Sequence, residues 1–163
     1  MPNLFIPESF EPPIIFDSEH FHFRVLEEEV AELDFEAVMS SQKRLQGVFG
    51  PKSMWPKSNM TLEENIASLK VHKREFDSRD AFAYSVFNNS KKKCLGSVYI
   101  DPSQSSNYDC EVYLWIRDDN IFLDNELYQI VFNWLQEAWP FSKIAFPGRD
   151  ILWEDWAIEL NVV

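Results

Sequence analysis

The chain has 163 residues, with 27 acidic against 15 basic for a formal charge of −12, 45% hydrophobic and 15% aromatic residues, and six tryptophans. That is enough apolar material for one domain with its own core and no metal or disulfide staple, and it argues against general disorder. The acidic balance argues against nucleic acid or a membrane as partner, because phosphate backbones and anionic lipids are bound through basic patches and released counterions.

Residues 1–20 contain Pro2, Pro7, Pro12 and Pro13 among scattered aromatics, and are expected to form an extended arm on a single domain of residues 21–163. The start, Met1 to Glu8, lacks the basic and apolar regions of a signal peptide, and no stretch approaches the roughly 20 apolar residues of a membrane span, so the cytoplasm is the expected location. Residues 21–26 alternate like a strand. A helix is expected from about Glu28 to Leu45, with Val30, Leu33, Ala37, Val38 and Leu45 near one face. Gly47, Gly50, Pro51 and Pro56 then break the chain, with Trp55-Pro56 anchoring the loop. Thr61-Leu62-Glu63-Glu64 is a capping-box pattern opening a helix to about Phe76, whose buried side reads Leu62, Ile66, Leu69 and Phe76.

Three strands follow, over 82–87, 94–100 and 110–117, as an antiparallel meander. Lys91-Lys92-Lys93 falls in the first of the two connecting turns and is expected to be solvated. Helical spacing of Leu123, Leu127, Ile130, Val131, Trp134, Leu135 and Ala138 predicts a helix over 123–139, ended by Pro140. Residues 143–147 form a short apolar strand that a right-handed crossover would place parallel to residues 110–117. Leu152, Trp153, Trp156 and Leu160 share the face of a last helix, with the two tryptophans buried against the domain or a second subunit. Cys94 and Cys110 lack metal-type spacing and are expected to be buried, reduced thiols. His20 and His22 could share one side of an extended segment, but no third ligand is evident and no metal is expected; His72 is expected to be exposed. The sequence has no nucleophile elbow, Walker-type loop or dinucleotide fingerprint.

This order of elements resembles the GNAT acetyltransferase superfamily over roughly residues 21–150. The resemblance is carried by the opening Phe23-Arg24-Val25-Leu26, by Trp55-Pro56 before Met60-Thr61-Leu62-Glu63-Glu64-Asn65, and by residues 82–87 leading to Leu95-Gly96-Ser97-Val98-Tyr99-Ile100. It implies an α/β (α+β) fold: a mixed, mostly antiparallel central sheet flanked by helices, with one parallel, splayed strand pair. Acetyl-coenzyme A would lie in the splayed gap, and the activity implied is transfer of its acetyl group to an amine. The sequence departs from the family at the joint Trp115 to Asp124, where a glycine-bearing pyrophosphate loop is expected. That joint has no glycine and three aspartates, Asp118, Asp119 and Asp124. The family also adds two strands after the last helix; Asn161-Val162-Val163 would begin a shortened one, or the sheet closes by another route such as a dimer.

Acetyl transfer needs a neutral amine, an oxyanion stabiliser and an acid for the leaving thiolate. On the 110–117 strand, Glu111, Tyr113, Trp115 and Arg117 face one way and Cys110, Val112, Leu114 and Ile116 the other. The resemblance implies Glu111 as general base and the backbone of Leu114 and Ile116 along the pantetheine. Tyr113 or Tyr108 is the candidate acid. Trp115, Arg117, Asn120, Asn125 and Phe146 complete the implied cofactor site, with Arg117 standing in for the loop's basic residue. Arg149 leaves the C-terminal end of the parallel strand, where open α/β sheets place ligands, and could hold a phosphate or carboxylate or pair with a neighbouring acid. The acidic surface favours a cationic acceptor, a small amine or a basic peptide. Monomer and homodimer both remain open, as does a rival class in which the fold is kept as a binding module or acyl-coenzyme A sensor without turnover.

Overall fold

The computed structural model describes residues 4–161. Six strands form one sheet in chain order: β1 (Ile15–Asp17), β2 (His22–Val25), β3 (Phe82–Phe87), β4 (Cys94–Pro102), β5 (Cys110–Ile116) and β6 (Ile144–Ala145). All neighbours are antiparallel except β5 and β6. This is the mixed sheet expected, extended at one edge by β1, which arises inside the expected arm.

The alternation along β5 divides the core. Val112, Leu114 and Ile116 pack under α4 (Asp124–Ala138) against Leu127, Val131, Trp134 and Leu135. Tyr113 and Trp115 face the opposite layer, built from α1 (Ala31–Ser40), α2 (Gln42–Leu45) and α3 (Leu62–Asp77), where they meet Ala37, Val38, Leu45 and Leu69. Trp134 stacks on Phe16 at 4.6 Å and meets Phe23 and Tyr84 edge-on. Truncating such an anchor typically costs about 3–5 kcal/mol.

The capping box forms as expected: Thr61 Oγ1 accepts the Glu64 N–H and Glu64 Oε1 accepts the Thr61 N–H, each at 3.1 Å. The expected helix 28–45 is instead a 3-10 turn (Glu28–Val30), α1 and the short α2. Ser40 Oγ donates back to the Ala37 carbonyl at 2.7 Å, a bond that competes with the helix ladder, and Ser41 adopts φ −125°, ψ 20°. The buried stripe also differs. Leu33 is 40% exposed, and Asp34, one position on, takes its place at 3% exposed.

Beyond α4, the closed end of the β5–β6 pair is stapled by Asp109. Its carboxylate accepts the Ser142 and Lys143 N–H groups at 2.8 and 2.9 Å, which holds its pKa below the usual range, and its own N–H donates to the Lys143 carbonyl. Pairing runs through only Cys110↔Ile144 and Glu111↔Ala145. Phe146 then buries its ring against Tyr128 of α4 at 4.9 Å, and Gly148 turns the chain at φ +81°. The chain thus leaves β5 after two residues rather than over the whole expected strand 143–147. The last helix, α5 (Trp153–Glu159), buries Trp156, leaves Trp153 half-buried over Gly148, and exposes Leu152 against expectation. Asn161 lies in a turn at φ +58°; Val162 and Val163, the rest of the expected final strand, fall outside the described residues.

Gly96 sits in β4 opposite Ile116, where an added Cβ would lie 1.9 Å from the Trp115 carbonyl oxygen. Gly96→Ala should therefore cost about 3 kcal/mol or more, because backbone rather than a flexible side chain must give way. Urea unfolding beside the parent protein measures this, and a loss below about 1 kcal/mol would mean that the two strands can part without cost.

Candidate functional site

After Ala145 the β6-facing edge of β5 has no strand neighbour among the described residues. A cleft of about 380 Å³ opens there, bordered by residues 112–114 of β5, Gly47 and Val48 of the loop before α3, residues 147–149 and Trp153. A strand edge of this kind offers unpaired N–H and C=O groups to an extended ligand. Of the expected site residues, Tyr113, Leu114 and Arg149 line it.

Glu111 and Tyr113 form a closed pair. The Tyr113 hydroxyl donates to Glu111 Oε2 at 2.5 Å, and the Gln104 N–H and Nε2 donate to the same carboxylate at 2.8 and 3.1 Å. Glu111 is 3% exposed and does not border the cleft; Tyr113 does. Burial, reinforced by Glu111, raises the Tyr113 pKa well above that of a free phenol, so this hydroxyl stays protonated and is a weak acid toward a thiolate. Tyr108 lies half-buried on Trp156, 5.7 Å between ring centres.

The joint after β5 is two 3-10 turns over Asp118–Leu123, kinked at Asn120 with φ −124° and ψ 22°. Three of its amides are engaged within the protein. The Asp118 N–H donates to Ser41 Oγ at 2.7 Å, that of Asn120 to the Arg117 carbonyl at 3.1 Å, and that of Asp124 to the Ile121 carbonyl. Each aspartate has a cation: Asp118 has Arg44, Asp119 has Arg117 and Lys93, and Asp124 has Arg149 at 2.6 Å. The Arg117 side chain, only 5% exposed, also grips Glu36 of α1 through both Glu36 oxygens, at 2.7 and 2.5 Å, and donates to the Cys94 carbonyl. These bonds hold the Glu36 carboxyl below its ordinary range. Arg117 is thereby committed to structure.

Of the remaining expected residues, Trp115 is buried and donates to the Tyr99 hydroxyl, the Ile116 carbonyl accepts from Arg44, and Phe146 is buried under α4. Asn125 is exposed, and the Asn120 side-chain carbonyl is enclosed without a partner among the described residues. Arg149 crosses the cleft mouth, 5.5 Å over the Tyr128 ring and 3.5 Å from the Leu114 carbonyl. The open β5 edge suits an extended acyl-pantetheine chain, whereas the joint lacks the glycine cradle for a pyrophosphate; Arg149 is the cation that lines the cleft.

A second polar cluster, missed in the sequence, occupies the face under α1 and α3. Asp34 accepts the Asn65 side-chain N–H at 2.9 Å, and burial pushes its pKa up to about 6. Asp101, opposite Glu111 in the β4–β5 register, is pushed up to about 7 by burial and by Glu111. His72 is half-buried rather than exposed, its ring 5.5 Å from Tyr99, and burial lowers its pKa. A displaced polar residue at i+4 in a helical stripe was the one available signal for Asp34. His20 binds Glu126 and His22 binds Asp17, each at 2.6 Å, and no group of three or more metal-ligating side chains occurs among the described residues. Both cysteines are free and buried. No described helix is long and apolar enough to cross a membrane.

The architecture is that of the GNAT acetyltransferases. Among solved structures it is similar to ribosomal-protein-S5-alanine acetyltransferase from Vibrio fischeri, at 18% identity over 91% of this chain and 81% of that one, with TM-score 0.64. It is also similar to a candidate ribosomal-protein-serine acetyltransferase from Vibrio cholerae, at 14% identity over 94% and 84% with TM-score 0.65, and to RimL, a ribosomal L7/L12 α-N-protein acetyltransferase in complex with coenzyme A, at 14% over 75% and 68% with TM-score 0.58. At such identities the likeness establishes the fold alone. No family model matches the sequence, and no curated protein matches it.

The raised Asp34 pKa sets a pH dependence. The folded state holds this proton up to about pH 6 and the unfolded chain releases it near pH 4, so the stability contributed by the neutral form is full below pH 4 and lost as pH rises through 6. Relative to Asp34→Asn, the parent protein should lose up to about 3 kcal/mol between pH 4 and 7 in urea titrations. A pH-independent difference between the two would mean that the carboxyl is hydrated.

Proposed function

We propose that this protein transfers an acetyl group from acetyl-coenzyme A to an amine. The observation that carries this reading is the two-residue β5–β6 pairing and the cleft it opens along residues 112–114. Acetyl-coenzyme A supplies an activated carbonyl when bound. The Leu114 backbone and Arg149 line the path for the extended chain, with Arg149 exchanging Asp124 for phosphate. The amine must lose a proton as its nitrogen bonds to the acetyl carbon and the carbon–sulfur bond breaks, the coenzyme A thiolate leaving and taking up a proton from solvent; the Glu111 carboxylate is the base of this site. Its proton would arrive through the Tyr113 hydroxyl or a water, since Glu111 itself is enclosed.

One observation favours a second reading, an acyl-coenzyme A sensor or binding module without turnover: Glu111 is held by three hydrogen bonds, and at the opposite end of β5 the Asp118 amide is already engaged by Ser41. Titration separates them. Acetyl-coenzyme A at about a hundred times its dissociation constant should add about 2.7 kcal/mol, or roughly 5–10 °C in melting temperature. An unmoved curve at millimolar ligand rejects both. With binding established, Glu111→Gln should lower kcat on an amine panel by about 10²- to 10⁴-fold; undiminished turnover removes Glu111 as base, and no turnover by the parent protein on any amine leaves the sensor.

A further inference from the structure

Asp101 and Glu111 stand directly opposite each other in the β4–β5 register, so strand alternation puts both carboxyl groups on the α1–α3 face of the sheet. Like charges at opposed positions repel, and burial strengthens the repulsion, so two such carboxyls do not ionise independently. Burial, Glu111 and Glu75 of α3 push the Asp101 carboxyl up to about 7. The other titratable groups on this side do not offset that: burial lowers the pKa of His72 on α3, the Tyr99 and Tyr113 hydroxyls stay protonated, and Asp34 of α1 is itself an acid. The pair has a way in and a way out. Tyr113 borders the strand cleft and donates its hydroxyl to Glu111 Oε2 at 2.5 Å. With the two bonds from Gln104, three of the roughly four lone-pair sites of the Glu111 carboxylate are filled and one is left. Asp101 is half-buried rather than enclosed, and borders a separate cavity of about 150 Å³ beside α3.

We propose that Asp101 and Glu111 work as one base, the proton that leaves the amine passing through Tyr113 to Glu111 and coming to rest on Asp101. The role rests on the proposed acetyl transfer; the coupling of the two carboxyls does not. A lone carboxylate with its pKa near 4 is a weak base at neutral pH, and proton acceptors work best when their pKa lies near the working pH. Two opposed carboxylates take a first proton more readily than either would alone, because that proton ends their repulsion. As the amine nitrogen bonds to the acetyl carbon, its proton moves to the Tyr113 oxygen while Tyr113 gives its own to Glu111. The carbon–sulfur electron pair leaves with the thiolate, which takes a proton from solvent, and Asp101 returns the pair's proton to solvent through its cavity. No proton is gained or lost over the cycle. Asp101 touches no substrate and acts through Glu111.

The test begins without any ligand, by carbon NMR titration of the side-chain carboxyls in the parent protein and in Glu111→Gln. Asp101 should titrate near neutral pH in the parent and at least about one pH unit lower in Glu111→Gln. A midpoint in the ordinary carboxylate range, or one that Glu111→Gln leaves unmoved, overturns the pair. The second arm is the pH profile of turnover on an amine panel. Parent turnover should rise as pH rises through about 7, where Asp101 ionises. Asp101→Asn should lower it about tenfold or more at neutral pH and move the rise toward the range of a lone carboxylate, and Asp101→Glu should restore both. A purely structural role for Asp101 would lower turnover without moving the rise, and that result, or an unchanged profile, also overturns the proposal. The two arms keep the readings apart: uncoupled carboxyls in an active protein reject the pair alone, and coupled carboxyls in a protein that turns over no amine reject acetyl transfer and the role of Asp101 with it.

Discussion

The loss of β5's parallel neighbour after two residues is the constraint on which the rest of this molecule turns. Backbone groups along a strand must find partners, and residues 112–114 have them on the β4 side only. Two local devices hold this state open. Asp109 pins the connection at the closed end, and Phe146 commits the departing chain to α4. Arg149 and Trp153 then stand where they do because the chain, once diverted, must turn at Gly148 and return over the gap. The cleft is thus a product of core packing rather than of a flexible loop, and its width is set by side chains already buried.

The joint at the start of α4 follows a different principle. Three aspartates at the positive end of a helix are favourable to the helix, and each also meets a cation from a distant segment. The more exposed pairs, those of Arg44 and Lys93, are individually worth under about 1 kcal/mol. Their effect is geometric: Arg44 ties the end of α2 to the joint, Arg117 ties it to α1, Lys93 to the β3–β4 hairpin and Arg149 to the cleft mouth. The protein replaces a permissive glycine turn with a cross-braced acidic one, and the region is close to charge balance although the chain carries −12.

What was legible in the sequence was what local chemistry decides. The bounds of β3, the capping box at Thr61, the α4 stripe and the opposed faces of β5 all came from patterns within a few residues, whereas the splay of the parallel pair was an expectation carried by the family resemblance. The interruption at Ser40 and Ser41 was not legible, because a serine that bonds back to its own helix looks like any solvent-facing serine. Nor were the partners of Arg117 and Asp118, which lie 81 and 74 residues away. Asp34 was hidden for the opposite reason: a carboxylate inside a helix is read outward, and only the packed α1–α3 layer turns it in. The shared face of Glu111 and Tyr113 on β5 followed from strand alternation, while the shielding of Glu111 by Gln104 depends on a loop with no periodic signal.

The distribution of tryptophans gives the fold an optical property. Trp115, Trp134, Trp139 and Trp156 are all at or below 5% exposed, the first three in the two cores and Trp156 against Tyr108. Trp153 and Trp55 are the half-buried ones, and each borders a different cavity, the strand cleft and a smaller one between the sheet and the α1–α3 layer. Their indoles are the two whose surroundings change when either space fills. The emission spectrum of the unlabelled chain therefore divides into a constant blue component from the sealed rings and two solvent-sensitive ones, so each cavity carries its own intrinsic fluorophore.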